Sequence, residues 1–230
     1  MISLTIIIPV FNEQNTIVES IKRIKEINIF HQVIIVDDCS TDNSNYLINE
    51  EINNDKRFML IKTNKNLGKG KALSAAKNLI QSDYVVVHDA DLEYFPKDLV
   101  KMYDKIHNKN LIIGSRFIGK ANRKNKYMRT YIANYLMSKI FSILYRARVS
   151  DVATCYKMMP SEYFKNIEID SNGFEVEIEV LAKYFKMNKD FIEVPINYDA
   201  RSYSEGKKIK AIDGFKYIIA MLRYLFWKTH

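Results

Sequence analysis

Short, unbroken apolar runs alternate with helical periodicities through the first 120 residues. Leu4–Val10 (LTIIIPV), Val33–Val36, Phe58–Ile61, Tyr84–Val87 and Leu111–Ile113 are rich in β-branched residues and bounded by polar or turn positions. Runs apolar at every position predict strands covered on both faces, as in a parallel sheet. Thr16–Ile27 instead places Ile17, Ile21, Ile24 and Ile27 on a 3–4 spacing, which predicts a helix; Asn43–Ile52, Lys71–Ile80 and Lys97–Ile106 complete the helical set. Strand–helix alternation with short connections predicts an open, doubly wound, mostly parallel α/β sheet flanked by helices.

Past Gly119 the rhythm loosens. A helix is predicted over Tyr131–Tyr145, a strand-like piece around Cys155–Met159 and a helix over Phe174–Phe185. A strand broken by Pro195 follows over Phe191–Tyr198, then a charged loop and a closing helix over Ile209–Trp227. That last helix carries Ile212, Phe215, Ile219, Leu222 and Phe226 along one face. The face can pack on the protein's own core or lie in a membrane plane with basic edges, and Tyr131–Tyr145 leaves the same choice open. No composition break separates a second unit, so one domain over residues 1–230 is expected.

Composition narrows the class. Hydrophobic residues at 47% and charged residues at 27% describe an ordinary globular chain. The net charge of +8 fits either a lysine-rich solvated surface or attraction to phosphate groups. Two cysteines, Cys39 and Cys155, favour a reducing cytosol. The longest stretch without Asp, Glu, Lys or Arg is residues 1–12, short of the roughly 20 apolar residues of a membrane span. The first lysine is Lys22, so no positive leader is expected. Basic and acidic residues interleave without a nucleic-acid motif, so nucleic acid is not expected as a partner.

In an open α/β sheet, ligands bind beyond the carboxyl ends of the strands. The residues found there are Pro9–Glu13, Asp37–Asp42, Asn64–Gly70, His88–Asp91 and Gly114–Arg116. Asp89-Ala90-Asp91 is the most pointed: two carboxylates two apart, where strand becomes loop, can share one hard cation that also binds phosphate oxygens. The plain alternative is a pair of turn-capping aspartates. Asp37 and Asp38 can hold a base or ribose, or form an Asx turn at Ser40–Asp42. Gly68-Lys69-Gly70-Lys71 suggests backbone approach to an anion, although it is not a P-loop sequence. No G-x-G-x-x-G is present, which disfavours a nicotinamide enzyme. The histidines and cysteines lack zinc spacing, and His88 reads as a packed strand residue rather than a base. Arg116, Arg123, Lys124, Lys126 and Arg129, and later Arg201, Lys207, Lys208 and Lys210, form two basic sets able to hold phosphate.

Taken in order, Pro9–Glu13, Val36–Ser40 (VDDCS), Asn66–Ala72 (NLGKGKA), Asp89–Asp91, Gly114–Arg116, Asp151–Lys157 (DVATCYK), Val194–Ile196 and Arg201–Ile209 (RSYSEGKKI) resemble the family 2 inverting glycosyltransferases of GT-A fold. Within that family the chain is most similar to the dolichyl- or polyprenyl-phosphate sugar transferases, such as the dolichol-phosphate mannosyltransferases. The resemblance implies a nucleotide-sugar-binding half over 1–120 and an acceptor half over 121–230. It places Pro9, Phe11, Glu13, Asp37, Asp38, Lys69, Asp89, Ala90 and Asp91 around a nucleotide-diphosphate sugar. Asp89 and Asp91, assisted by Glu93, would hold Mg or Mn. Arg116, Arg129, Arg201 and Lys207 would hold the phosphates of donor or acceptor, with Asp89, Asp91 and Arg116 catalytic. A polyprenyl phosphate would be the acceptor, at the cytosolic face of a membrane to which the protein binds peripherally, with or without a membrane-protein partner. If the acceptor is a hydroxyl, Asp151 or Glu175 becomes a candidate base. Phe11 stands where the family often has Tyr, and Cys39 where it commonly has Gly.

Overall fold

The computed structural model describes residues 2–119, 123–124, 127–202 and 211–228. Its first half follows the predicted alternation: β1 (Leu4–Val10), α1 (Ile17–Lys25), β2 (Gln32–Asp37), α2 (Ser44–Ile52), β3 (Phe58–Lys62), α3 (Lys69–Ala76), β4 (Tyr84–Val87), α4 (Lys97–Tyr103) and β5 (Leu111–Ser115). The second half adds β6 (Arg123–Lys124), α5 (Met128–Tyr145), β7 (Lys157–Pro160), α6 (Ser161–Asn166), α7 (Val176–Met187), β8 (Phe191–Pro195), β9 (Tyr198–Asp199) and α8 (Ala211–Leu225).

Seven strands form one sheet in the order β3-β2-β1-β4-β7-β5-β8, and β6 pairs with β9 apart from it. The apolar runs explain the layering. Successive strand residues face opposite sides, and here both sides are covered. Ile7, Ile34, Val36, Val85 and Ile113 join the core beneath α3, α5, α7 and α8. Ile6, Ile8, Ile35, Val86 and Ile112 join the core beneath α1, α2 and α4.

Three features go beyond what the sequence indicates. β7 runs antiparallel to both neighbours, pairing Val85 with Met159 and Ile112 with Met158. β5 therefore bonds to β7 and β8 rather than to β4, tying the end of the first half to the second. The six-residue α6 carries no sequence signal; a single turn and a half holds too few positions for a period to show. On α8 the apolar stripe is not core: Phe215, Ile219, Leu222 and Phe226 are exposed, and the helix packs inward through Tyr217, Ala220, Met221 and Tyr224.

Candidate active site

Strands β1, β2, β4 and β5 end along one edge of the sheet, and a cavity of about 400 Å³ opens there. Asp89 and Asp91 both line it, as do Pro9, Phe11, Glu13, Asp38, Lys69, Ala90, Glu93, Arg116 and Arg201. Most residues expected at the site are thus brought to one place. Asp37 is fully buried outside it: its carboxylate accepts from Ser40 N at 2.8 Å and Asn45 Nδ2 at 2.8 Å, the Asx-turn alternative. Arg129 is exposed in the first turn of α5 and does not line the cavity. Lys207, with Lys208 and Lys210, lies outside the described residues.

Asp38 serves the next loop. It accepts hydrogen bonds from Leu67 N, Gly68 N and Thr63 Oγ1, fixing the segment that carries Lys69. Cys39 adopts φ 62°, the left-handed region, which explains a glycine preference at that turn. The glycine loop corrects an expectation. Neither glycine faces an open anion cradle: a Cβ on Gly70 would sit 1.9 Å from Ser171 O, and one on Gly68 2.4 Å from Asn172 O. Gly70 N also donates to Asn172 O at 2.8 Å. The glycines let the main chain of residues 171–173 press against the start of α3.

A chain of buried charges runs from the aspartate pair into the protein. Lys69 Nζ lies 2.5 Å from Asp89 Oδ1 and 2.8 Å from Glu177 Oε1, and Lys157 Nζ lies 2.7 Å from Glu177 Oε2. Burial works against the Lys69 ammonium, yet Asp89 and Glu177 hold its pKa well above the usual lysine value. Glu177 is likewise buried but held low by Lys157 and Lys69. Neither Glu177 nor Lys157 is legible in the sequence, because each comes from a late element and meets its partners only on folding.

On the opposite wall Arg201 Nη1 lies 3.1 Å from Glu13 Oε2 and its Nη2 3.1 Å from Asp91 Oδ2. Glu93 is committed to holding that arginine: it accepts from Arg201 N at 2.8 Å and from Tyr198 Oη at 2.5 Å. Arg201 Nε is buried without a hydrogen-bond partner among the described residues. Arg116 makes a bidentate pair with Asp151, at 2.7 Å and 2.8 Å, beneath the rings of Tyr94 and Tyr198. His88 is buried, with Ser20 Oγ 3.2 Å from Nε2 and Tyr156 Oη 2.9 Å from Nδ1; burial pushes its pKa down to about 4. It is packed and hydrogen-bonded, as expected, one residue past the end of β4.

Six carboxylates line the cavity against three cations. Asp91 registers the imbalance: burial, then the charges of Glu93 and Asp89, push its pKa up to about 8 against the pull of Arg201. Among the described residues no three His, Cys, Asp or Glu side chains converge as a metal-binding group. Two aspartates with surplus negative charge fit a divalent ion that takes its remaining ligands from phosphate and water.

The family described as Glycosyl transferase family 2 matches residues 5–168. An uncharacterized protein of Methanocaldococcus jannaschii is 27% identical, over 88% of this chain and 93% of that one. The dolichol-phosphate mannosyltransferase of Pyrococcus furiosus is 25% identical over 97% of this chain, which spans 64% of that protein's length. Among solved structures, glucosyl-3-phosphoglycerate synthase from Mycobacterium tuberculosis, in complex with Mn2+, UDP and glucosyl-3-phosphoglycerate, superposes with a TM-score of 0.75 at 16% identity. That likeness covers 97% of this chain and 80% of the synthase, and concerns the GT-A fold.

Proposed function

Because the chain belongs to glycosyl transferase family 2, we propose that it moves a sugar from a nucleotide diphosphate to a polyprenyl phosphate, with inversion, at the cytosolic surface of a membrane. The observation that carries this reading is the shared cavity: both acids of Asp89-Ala90-Asp91 face it together with Lys69, Arg116 and Arg201. Phe11, Glu13 and Asp38 also line the cavity, and the nucleoside is assigned to them. Asp89 and Asp91 are the residues to hold Mg or Mn, and a bound divalent ion would neutralise charge on the leaving diphosphate. Arg201, which lines the cavity, offers its guanidinium to a phosphate oxygen.

A phosphate monoester is largely ionised near neutral pH, so its oxygen can attack the anomeric carbon without a strong base. A new carbon–oxygen bond forms on one face as the bond to the nucleoside diphosphate breaks on the other. The mannosyltransferase of Pyrococcus furiosus supports this acceptor class.

One observation favours a second reading, transfer to a hydroxyl, which needs a base. Glu175 Oε2 is buried without a hydrogen-bond partner among the described residues, one residue from Phe174 in the cavity wall. Asp151 is spent on Arg116. The structural neighbour, bound to glucosyl-3-phosphoglycerate, makes phosphorylated acids with a free hydroxyl reasonable acceptors to include.

The test is a panel of labelled nucleotide sugars offered with a polyprenyl phosphate or with 3-phosphoglycerate. Metal-dependent label in the organic phase, lost in Asp91→Ala, supports the lipid acceptor. Label confined to the aqueous product and lost in Glu175→Gln supports the hydroxyl reading. Full transfer by Asp91→Ala, or in excess chelator, overturns the roles given to the aspartates.

A further inference from the structure

Asp89 is the outer end of a row of charges that alternate in sign. Lys69 stands 2.5 Å from it, Glu177 2.8 Å from Lys69, and Lys157 2.7 Å from Glu177. The side chains of Lys69, Glu177 and Lys157 are 8%, 8% and 3% exposed, against 22% for Asp89. Lys69 and Glu177 line the cavity, whereas Lys157 does not. Lys157 is the innermost member, and it acts on the cavity only through Glu177.

Sheet topology explains how a lysine reaches this depth. β7 runs antiparallel between β4 and β5, so its first residue, Lys157, lies at the edge where those two strands end. There its ammonium donates to Thr154 O and to Glu177 Oε2, which comes from the first turn of α7. The other oxygen of Glu177 faces Lys69, the first residue of α3. One carboxylate is thus shared between two lysines, one in the cavity wall and one behind it. Lys157 and Lys69 hold the Glu177 pKa low against burial, so the carboxylate keeps its charge.

Buried charges this close together are little screened by salt, so each is felt by any cation held at Asp89 and Asp91. Lys69 repels such a cation, Glu177 offsets Lys69, and Lys157 offsets Glu177. Each step inward reverses the sign of the effect. We propose that Glu177 and Lys157 are positioning residues that set the divalent-cation affinity of the aspartate pair through Lys69. An ammonium has three donors; Asp89 and Glu177 fix its direction from two sides, and Lys157 limits how far Glu177 can draw it away. Lys157 therefore lowers the affinity of a site it does not touch. The inference rests on the reading of Asp89 and Asp91 as the residues to hold Mg or Mn.

The experiment measures Mn2+ binding to the full chain, without nucleotide or sugar donor, from the loss of the electron paramagnetic resonance signal of free Mn2+. Removing one buried unit charge at these separations should change the affinity by at least about five-fold. Lys69→Met and Lys157→Met should tighten binding, and Glu177→Gln should weaken it. Lys157→Met combined with Glu177→Gln removes a neutral pair and should return the affinity to within about two-fold of the wild type. Lys157→Arg keeps the charge and should stay within the same range. Melting temperatures establish which variants fold; where one single variant does not, the double variant compared with the other single reads the same sign. Equal affinity in all variants overturns the proposal, and so does weakened binding in every one, which would make the row a support of the fold alone. Wild-type protein that binds no Mn2+, or no better than Asp91→Ala, overturns the metal role of the aspartates and this inference with it. Binding that Asp91→Ala abolishes, with the wrong signs at Lys157 and Glu177, overturns this inference alone.

Discussion

Arg201 and Asp91 lie 110 residues apart in the chain, and their side chains meet at 3.1 Å across the cavity. The same guanidinium reaches Glu13, so a single late residue neutralises acids from two early loops. Arg201→Ala should lower kcat/KM by about 10²-fold or more, as expected for losing a preorganised donor to a charged group. Arg201→Lys should recover only part, because an ammonium cannot span both acids as the planar fork does. Without substrate, added Mg should raise the melting temperature of Arg201→Ala more than that of the wild type, since two acids have lost their cation. An equal rise in both would show that Arg201 does not balance these acids.

The Arg116–Asp151 pair is a separate matter of stability. Both side chains are buried, and Asp151 is fully so. Asp151→Asn leaves a buried guanidinium without its countercharge and should cost about 3–5 kcal/mol in denaturant unfolding. Arg116→Met combined with Asp151→Leu should regain much of that stability while abolishing transfer. A double variant as unstable as the single one would show that the pair is not the source of the loss.

Two glycines should respond in opposite directions to the same substitution. Gly70→Ala puts a methyl group into Ser171 O, a main-chain atom that can yield only if the loop moves; a loss of about 1–3 kcal/mol is expected. Gly214, in the first turns of α8, has nothing within 4 Å of the place an alanine methyl group would take. Gly214→Ala should stabilise by about 0.5–1 kcal/mol, the helical preference of alanine over glycine. Thermal and urea unfolding of the two variants side by side make the comparison.

The sequence shows the early site well and the late site poorly, for a physical reason. Asp89 and Asp91 can be placed because a strand end and the residues after it are local features, and so can the edge on which they lie. Asp38 and Lys69 follow the same logic. Glu177, Lys157 and Tyr198 come to this region from α7, β7 and β9, and no local pattern records which distant carboxylate will meet Lys69. The glycine loop misleads for a related reason: its spacing indicates close approach by something, and here that is the protein's own main chain at Ser171 and Asn172. The antiparallel course of β7 is equally hidden, since four buried residues look alike in either direction.

His88 sets a pH dependence. Its folded pKa is about 4, against an ordinary value of 6.5. Above pH 6.5 both states are neutral there, and no stability difference arises. As pH falls through that value the unfolded chain takes up a proton that the folded one refuses, so stability declines until about pH 4. Between pH 7 and pH 5 the loss from this residue is about 2 kcal/mol. His88→Gln should flatten that part of the profile in urea titrations at the two pH values. An identical slope in the variant would assign the acid sensitivity to other groups.

The central place of β7 carries a consequence for biosynthesis. A ribosome delivers β1 to β4 first, and these four have all their mutual pairing partners before anything downstream is made. β5 emerges next with no partner to bond, since both its neighbours are still unmade. Until Lys157–Pro160 leaves the exit tunnel, the free flank of β4 is a naked edge open to intruding strands. A nascent chain stalled between residues 115 and 157 should therefore be the species most prone to clump and most in need of a chaperone.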